Sequence, residues 1–352
     1  MNSDLWRYRL GPFLLASEIA LPELVPLVDD AANAVADDSG ADVREMEDAA
    51  TSAVCIRIAH VPERIADVVA NESHWWASHT EYLQRVPGVA NFLVRHGCEI
   101  LVEPAENTQD EEIRAYLLSP VFSALCHQAG MYALHASAVR VGDGVVAFLG
   151  NTRAGKSTLA AGLAQRGFVV IADDICLLDT RVQGAEKIAE TASSDFGTAL
   201  VIPVAPALKL WRSALDHLGT STESLDRVVR NDDKFRLKLS KPDAQLPHLP
   251  LCQIFFLEWT AEGDADSDFN AQPTIVPVEG VEAITRLMEF THFDYVMKAT
   301  GRQKGNFLLC GRILSEARAY RLRRPRNFSL LDQTLDAIEA HLGAIPELPI
   351  ER

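Results

Sequence analysis

The segment GNTRAGKSTLA, residues 150–160, constrains the fold more than any other stretch of the chain. It fits G-x-x-x-x-G-K-[ST], a phosphate-cradling motif that works only where a strand runs into a helix. Its flanks meet that demand. GVVAFLG before it reads as a buried strand, and MYALHASAVRV before that reads as a second strand. Gly142-Asp143-Gly144 joins the two as a hairpin turn. KSTLAAGLAQRG after the motif reads as a helix closed by Gly167, and FVVIADD as the next strand, ending on two acids. Strand, glycine-rich loop, helix and strand in this order predict an α/β domain.

The loop predicts its own chemistry. Gly150 and Gly155 tolerate backbone angles that let successive N–H groups converge on a phosphate at a helix N-terminus. Lys156 places a positive charge at the β- and γ-phosphates, and the Ser157 hydroxyl is a Mg²⁺ ligand. Gly150, Asn151, Thr152, Arg153, Ala154, Gly155, Lys156, Ser157 and Thr158 are therefore the expected ATP-binding residues. Asp173 and Asp174 close the strand after the motif helix, at the same sheet edge as Lys156. An Asp near a γ-phosphate can accept a hydroxyl proton. A turn or cap is the plainer reading of such a pair. His135 lies in the apolar run ALHASAV, expected on a strand beside the acid strand.

Phosphoryl transfer also needs positive charge on the moving group. Lys234, Arg236 and Lys238 alternate on a strand-like run, with Lys234 and Lys238 expected on one face and Arg236 opposite. Lys234 is the candidate for catalysis, and a solvated basic strand face is the plainer reading of the run. The cluster Arg321, Arg323, Arg324 and Arg326 is the other basic group. Trp75, Trp76 and Trp211 read as core or interface rather than as adenine stackers.

The formal charge of −16 argues against nucleic acid or anionic membrane as a partner, since both are held by basic surface. None of the six cysteines sits at C-x-x-C spacing, which predicts buried core thiols rather than a disulfide or zinc framework. No charged-then-apolar segment opens the chain and no long apolar run follows, so a cytoplasmic protein is expected. Residues 29–50 and 262–268 are acidic and read as solvated loops. Residues 110–130 carry helical periodicity behind Asp110-Glu111-Glu112, with Pro120 expected to kink or split the helix. A boundary is expected near residues 126–130.

At LHASAV…GNTRAGKSTLAAGLAQRGFVVIADD the sequence resembles the HPr kinase/phosphorylase superfamily, whose core is similar to that of phosphoenolpyruvate carboxykinase. The matching features are the His before the loop strand, the loop itself, and Arg166-Gly167 followed by Asp173-Asp174. Thr158 stands where the HPr enzymes carry Glu. SEIALPEL, PALKLW, DDKFRLKL and RAYRLRRPRN look closer to a divergent branch encoded with ribosomal peptides, including kinases of lasso-peptide precursors. The resemblance implies Asp173 as base with His135 as its partner, and Ser157 and Asp174 as metal-side groups. It implies ATP and Mg²⁺ as cofactors and a serine-bearing protein or peptide as substrate.

The expected architecture is a P-loop domain of the HPr-kinase and phosphoenolpyruvate-carboxykinase type over residues 129–345, with a smaller α+β N-terminal domain over residues 1–128. The expected activity is that of a serine kinase. A small-molecule kinase and a nucleotide-dependent regulatory module are the rivals, and a homo-oligomer is left open.

Overall fold

The computed structural model describes residues 5–24, 26, 27, 52–179, 199–204, 207–228, 232–239, 248–260, 272–299 and 302–343. The acidic stretches 29–50 and 262–268 lie outside them. The described residues form a mixed α/β structure with several sheets, in two units, Met1–Ala129 and Gly130–Arg352. No helix among the described residues is long and apolar enough to cross a membrane. The six cysteines are free thiols; Cys126, Cys176 and Cys310 are buried, whereas Cys98 is exposed, contrary to expectation.

The first unit is built on one eight-stranded sheet. β1 (Trp6–Leu10) and β2 (Phe13–Ser17) form a hairpin, and β2 runs parallel to β3 (Ser52–Ile58). The far half is an antiparallel meander of β4 (Ala70–Glu72), β5 (Trp75–Ala77), β6 (Glu81–Val86), β7 (Ala90–Arg95) and β8 (Glu99–Pro104). β8 joins it to β3 in parallel. His96 and Gly97 both take positive φ, 51° and 67°, in the turn that the Cys98 N–H closes on Arg95 O, and Arg95 pairs with Glu99 across it. Helices α1 (Asp110–Tyr116) and α2 (Phe122–Gln128) follow. Pro120 does not break the chain between them. It sits in a π-helical turn, Leu117–Val121, where the wider hydrogen-bond spacing absorbs its missing N–H. Phe122 of α2 meets Phe13 of the sheet edge-on at 5.5 Å.

The second unit is layered about a central sheet. The unit's strands are β9 (Tyr132–Leu134), β10 (Ala136–Val141), β11 (Gly144–Leu149), β12 (Val169–Ala172), β13 (Cys176–Asp179), β14 (Leu200–Ile202), β15 (Ala207–Trp211), β16 (Lys234–Lys238), β17 (Leu249–Trp259), β18 (Thr274–Pro277) and β19 (Arg318–Arg324), of which β15 and β16 form a separate two-stranded sheet. Its helices are α3 (Lys156–Gln165), α4 (Arg212–His217), α5 (Gly280–Glu289), α6 (Asp294–Ala299), α7 (Gln303–Glu316) and α8 (Leu331–Gly343). β11 lies between β10, antiparallel, and β17, parallel; β17 continues in parallel to β19.

Strand alternation sends side chains to two separate cores. Val145, Ala147 and Leu149 with Ile254 and Phe256 pack against Leu287 of α5 and Ile313 of α7. Val146 and Phe148 with Phe255 pack on the other face against Leu159 and Leu163 of α3 and Ile338 of α8. Gly162 lets α3 and α8 touch, since a Cβ there would lie 2.7 Å from Leu335 Cδ1. Arg166 fastens the same pair through Asp332, Asp336 and Glu339 at 2.6–3.1 Å.

Two long apolar runs that read as single strands are each broken in the structure. MYALHASAVRV breaks at His135: β9 pairs with β13, whereas β10 pairs with β11 and β12. FVVIADD ends its strand at Ala172, and Asp173 bridges to Ile175 in a tight reversal before β13 begins. The breaks lie opposite each other, because Ala138 pairs with Ala172 below them and Leu134 with Cys176 above. His135 is therefore at the break between two strands and not within one. Apolar composition alone cannot show where a strand changes partners.

Candidate functional site

The site gathers around those two breaks and the loop at 150–158. The loop leaves β11 at Gly150, where a Cβ would come within 2.8 Å of the Ala154 Cβ. Arg153 at φ 66° and Gly155 at φ 83° reverse the backbone so that α3 starts on Lys156. The helix N-terminus thereby faces the loop's concave side, an arrangement that favours anions. Asn151, Thr152 and Arg153 are exposed, and the Arg153 guanidinium lies 5.1 Å from the Trp211 ring. Lys156 is buried, and its Nζ donates to Gly150 O at 2.7 Å and Asn151 O at 3.4 Å. Burial lowers its ammonium to about 8.

The loop is braced from behind. Arg324, buried at the end of β19, donates from Nη2 to Ala154 O and lies 4.2 Å from the Trp259 ring. Burial lowers its guanidinium to about 10. Gly155 leaves room for this group, as a Cβ there would stand 2.7 Å from Nη2. Of the other arginines in that cluster, Arg321 bonds to Glu282 and Arg323 lies 3.7 Å from Glu258.

Asp173 receives three hydrogen bonds. Ser137 Oγ donates to Oδ1 at 2.6 Å, Ser157 Oγ donates to the same oxygen at 2.8 Å, and the Lys209 backbone N–H donates to Oδ2 at 2.8 Å. Burial pushes its carboxyl above the usual range against these bonds. Asp174 holds a left-handed backbone, φ 71°. Its Oδ2 accepts from Lys209 Nζ at 2.8 Å, and its Oδ1 lies 3.5 Å from His135 Nδ1. Burial would raise this carboxyl, but the Lys209 ammonium and then the His135 and His292 rings hold it well below the usual range. Burial lowers both His135 and His292 to about 4, with the Lys156 charge adding to the effect on His135.

The resemblance implied His135 as the partner of Asp173; in the structure His135 lies beside Asp174, and Ser157 donates to Asp173. The reversal at Asp174 is the reason: the strand does not continue, so the two carboxylates part toward the loop on one side and toward the β9–β10 break on the other.

The basic strand also differs from expectation. Residues two apart on a strand share a face, so Lys234, Arg236 and Lys238 lie together, opposite Trp211, Lys209 and Ala207 of β15. Phe235 and Leu237 take the core face. Lys234 is near enough that its charge lowers both His135 and Lys156. Arg236 is buried, and Lys238 is exposed beside Asp226.

Sequence reasoning missed Lys209, Ser137 and His292. Lys209 carried a signal: in ALKLW, Leu208 and Leu210 are core residues, so Lys209 and Trp211 share the other face. His292 carried none.

No protein-family model matches the chain, and no curated protein matches it. Among solved structures, the chain is similar to the Hpr(Ser) kinase/phosphatase from Coxiella burnetii, at 13% identity and a TM-score of 0.27. The match covers 59% of this chain and 90% of that one. The likeness is distant, and the functional reading rests on the site's own geometry.

Proposed function

We propose that the protein is an ATP- and Mg²⁺-dependent phosphotransferase that phosphorylates a serine hydroxyl of a protein or peptide. The acceptor class implied by the sequence resemblance is a ribosomal, lasso-type precursor. One observation carries the reading: a half-buried carboxylate, Asp173, already accepts two hydroxyl hydrogen bonds on one oxygen, one of them from the loop serine. An acceptor hydroxyl would take the place of the Ser157 hydroxyl on that oxygen once Ser157 turns to the cation, and burial raises the carboxylate's basicity.

In the proposed reaction the acceptor oxygen bonds to the γ-phosphorus while the bond to the β,γ-bridging oxygen breaks. ADP leaves and the hydroxyl proton passes to Asp173 Oδ1. Lys156 and Lys234 supply positive charge on the phosphate side. The hard oxygen donors at Ser157 and the acid turn fit Mg²⁺. Ser157 would hold it, and the ion would neutralise charge on the phosphates. The test is incubation with γ-labelled ATP and serine-containing peptides. Label recovered as phosphoserine is expected. Free phosphate as the sole labelled product would make the protein a hydrolase and end this reading.

The brace behind the loop gives a second expectation. Arg324→Ala leaves the Ala154 carbonyl and the loop's backward face without their donor. It should weaken binding of a fluorescent ATP analogue by about tenfold, ~1.4 kcal/mol. The maximal rate at saturating ATP should hold, because Arg324 acts through the loop. Unchanged affinity would mean that the loop keeps its shape without the brace.

A further inference from the structure

We propose that the Arg153 side chain reads the terminal phosphate: when a nucleoside triphosphate enters the loop, the guanidinium leaves the Trp211 ring and forks onto the γ-phosphate oxygens. The inference rests on the phosphotransferase reading and adds to it a catalytic residue and a built-in optical signal.

The Arg153 backbone is the first observation. At φ 66° it holds the left-handed region, which glycine takes freely and a long side chain takes at a cost. A residue kept in that region needs support from its surroundings. The support here is the Trp211 ring, 5.1 Å from the guanidinium carbon. Arg153 is exposed and Trp211 half-buried, so the stack is a surface cation–π contact, the weaker sort. A forked, charge-assisted pair with a phosphate is stronger. An arriving phosphate can therefore draw the side chain off the ring.

The place of the ring gives the direction of the movement. Trp211 and Lys209 are two apart on β15, so they share a face about 7 Å apart along the strand. Lys209 bonds both acids of the turn, Asp173 through its N–H and Asp174 through Nζ. Trp211 pairs across the two-stranded sheet with Lys234, whose charge acts on Lys156. Arg153 on Trp211 is thus held on the side of the loop that looks toward the acid turn, where the terminal phosphate and an acceptor hydroxyl would meet. Two other cations near the loop are engaged elsewhere: Lys209 on Asp174, and Arg324 on the Ala154 carbonyl behind the loop. Arg153 brings a guanidinium fork to the acceptor side, and a fork matches the two oxygens of a phosphate edge.

The test follows the indole fluorescence of the full-length protein during titration with Mg²⁺ and either ADP or the β,γ-imido analogue of ATP. A change with the analogue and little or none with ADP is expected. Trp211→Phe should remove that change, which assigns it to this ring. Arg153→Ala should remove it as well. In single-turnover transfer from γ-labelled ATP to a serine peptide, Arg153→Ala should lower the rate by roughly a hundred- to a thousandfold. Its KM for ATP should shift far less. Arg153→Lys, with charge but no fork, should recover only part of the rate. Equal responses to ADP and the analogue, no response to either, or a rate in Arg153→Ala equal to wild type would overturn the proposal. A wild type that transfers no label ends the phosphotransferase reading instead. The titration needs no acceptor, so it still decides whether Arg153 meets the third phosphate.

Discussion

Lys156→Ala is expected to lower kcat/KM for phosphoryl transfer by roughly a hundred- to a thousandfold, the size of losing one preorganised charged donor at a transferring group. Lys156 Nζ stands at the start of α3, on the carbonyls of its own loop. An arriving phosphate gives it a better partner than Gly150 O. Burial lowers it to about 8 in the free protein, and a bound anion would raise it again. Nucleotide binding in the wild type should therefore take up a proton above pH 8, and affinity should fall as pH rises through that value. In Lys156→Ala this pH dependence should vanish with the affinity. Calorimetry with ATP in buffers of differing ionisation heat checks both effects. Wild-type transfer by the variant would show that the loop is not the phosphate site. The fold should survive, because the substitution removes a buried charge rather than a core side chain.

Asp173→Asn separates a base from a cation holder. As a base, Asp173 contributes about 10²- to 10⁴-fold to kcat, and the variant should lose that factor at nearly unchanged ATP affinity. The amide keeps one oxygen for Ser137 and Ser157. It turns an NH₂ toward the Lys209 N–H, a donor facing a donor, at a stability cost of about 1–3 kcal/mol. Asp174→Asn should behave differently, since its target is the pairing with Lys209 and His135. Single-turnover transfer at saturating ATP and several Mg²⁺ concentrations tells the two apart. An unchanged rate in Asp173→Asn would remove Asp173 from the base role. A rate restored by extra Mg²⁺ would place it on the cation side.

What could be read in the sequence was local. The turn at Gly142-Asp143-Gly144 declares the β10–β11 hairpin through the residues that turn requires, and Val141 does face Gly144. The loop at 150–158 is equally legible, since its glycines, lysine and serine are contiguous. His292 and Lys209 reach the acid turn from segments far along the chain. In sequence Lys209 is a single polar residue between leucines and His292 one of several polar residues in EFTHFDY, and nothing local ties either to Asp174. The strand breaks at His135 and Asp173 were hidden for a related reason. A strand that trades one neighbour for another keeps its hydrophobic run, and only the partners reveal the change. The mistaken face for Arg236 was a matter of period, and the alternation of Phe235 and Leu237 into the core resolves it.

β17 runs parallel between β11 and β19 and begins against β14, and this sets an order of assembly. Closing a parallel pair across a long stretch of chain costs loop entropy before any contact repays it. The loop-bearing hairpin of β10 and β11 can therefore form early, from neighbouring residues. Its second edge stays open until β17 has been synthesised and docked. The brace on the loop arrives later still, because Arg324 ends a strand that itself needs β17 as a template. A chain emerging from the ribosome would carry the loop at 150–158 long before Arg324 could brace it. On the proposed function, full affinity for nucleotide is thus reached only when the unit is nearly complete.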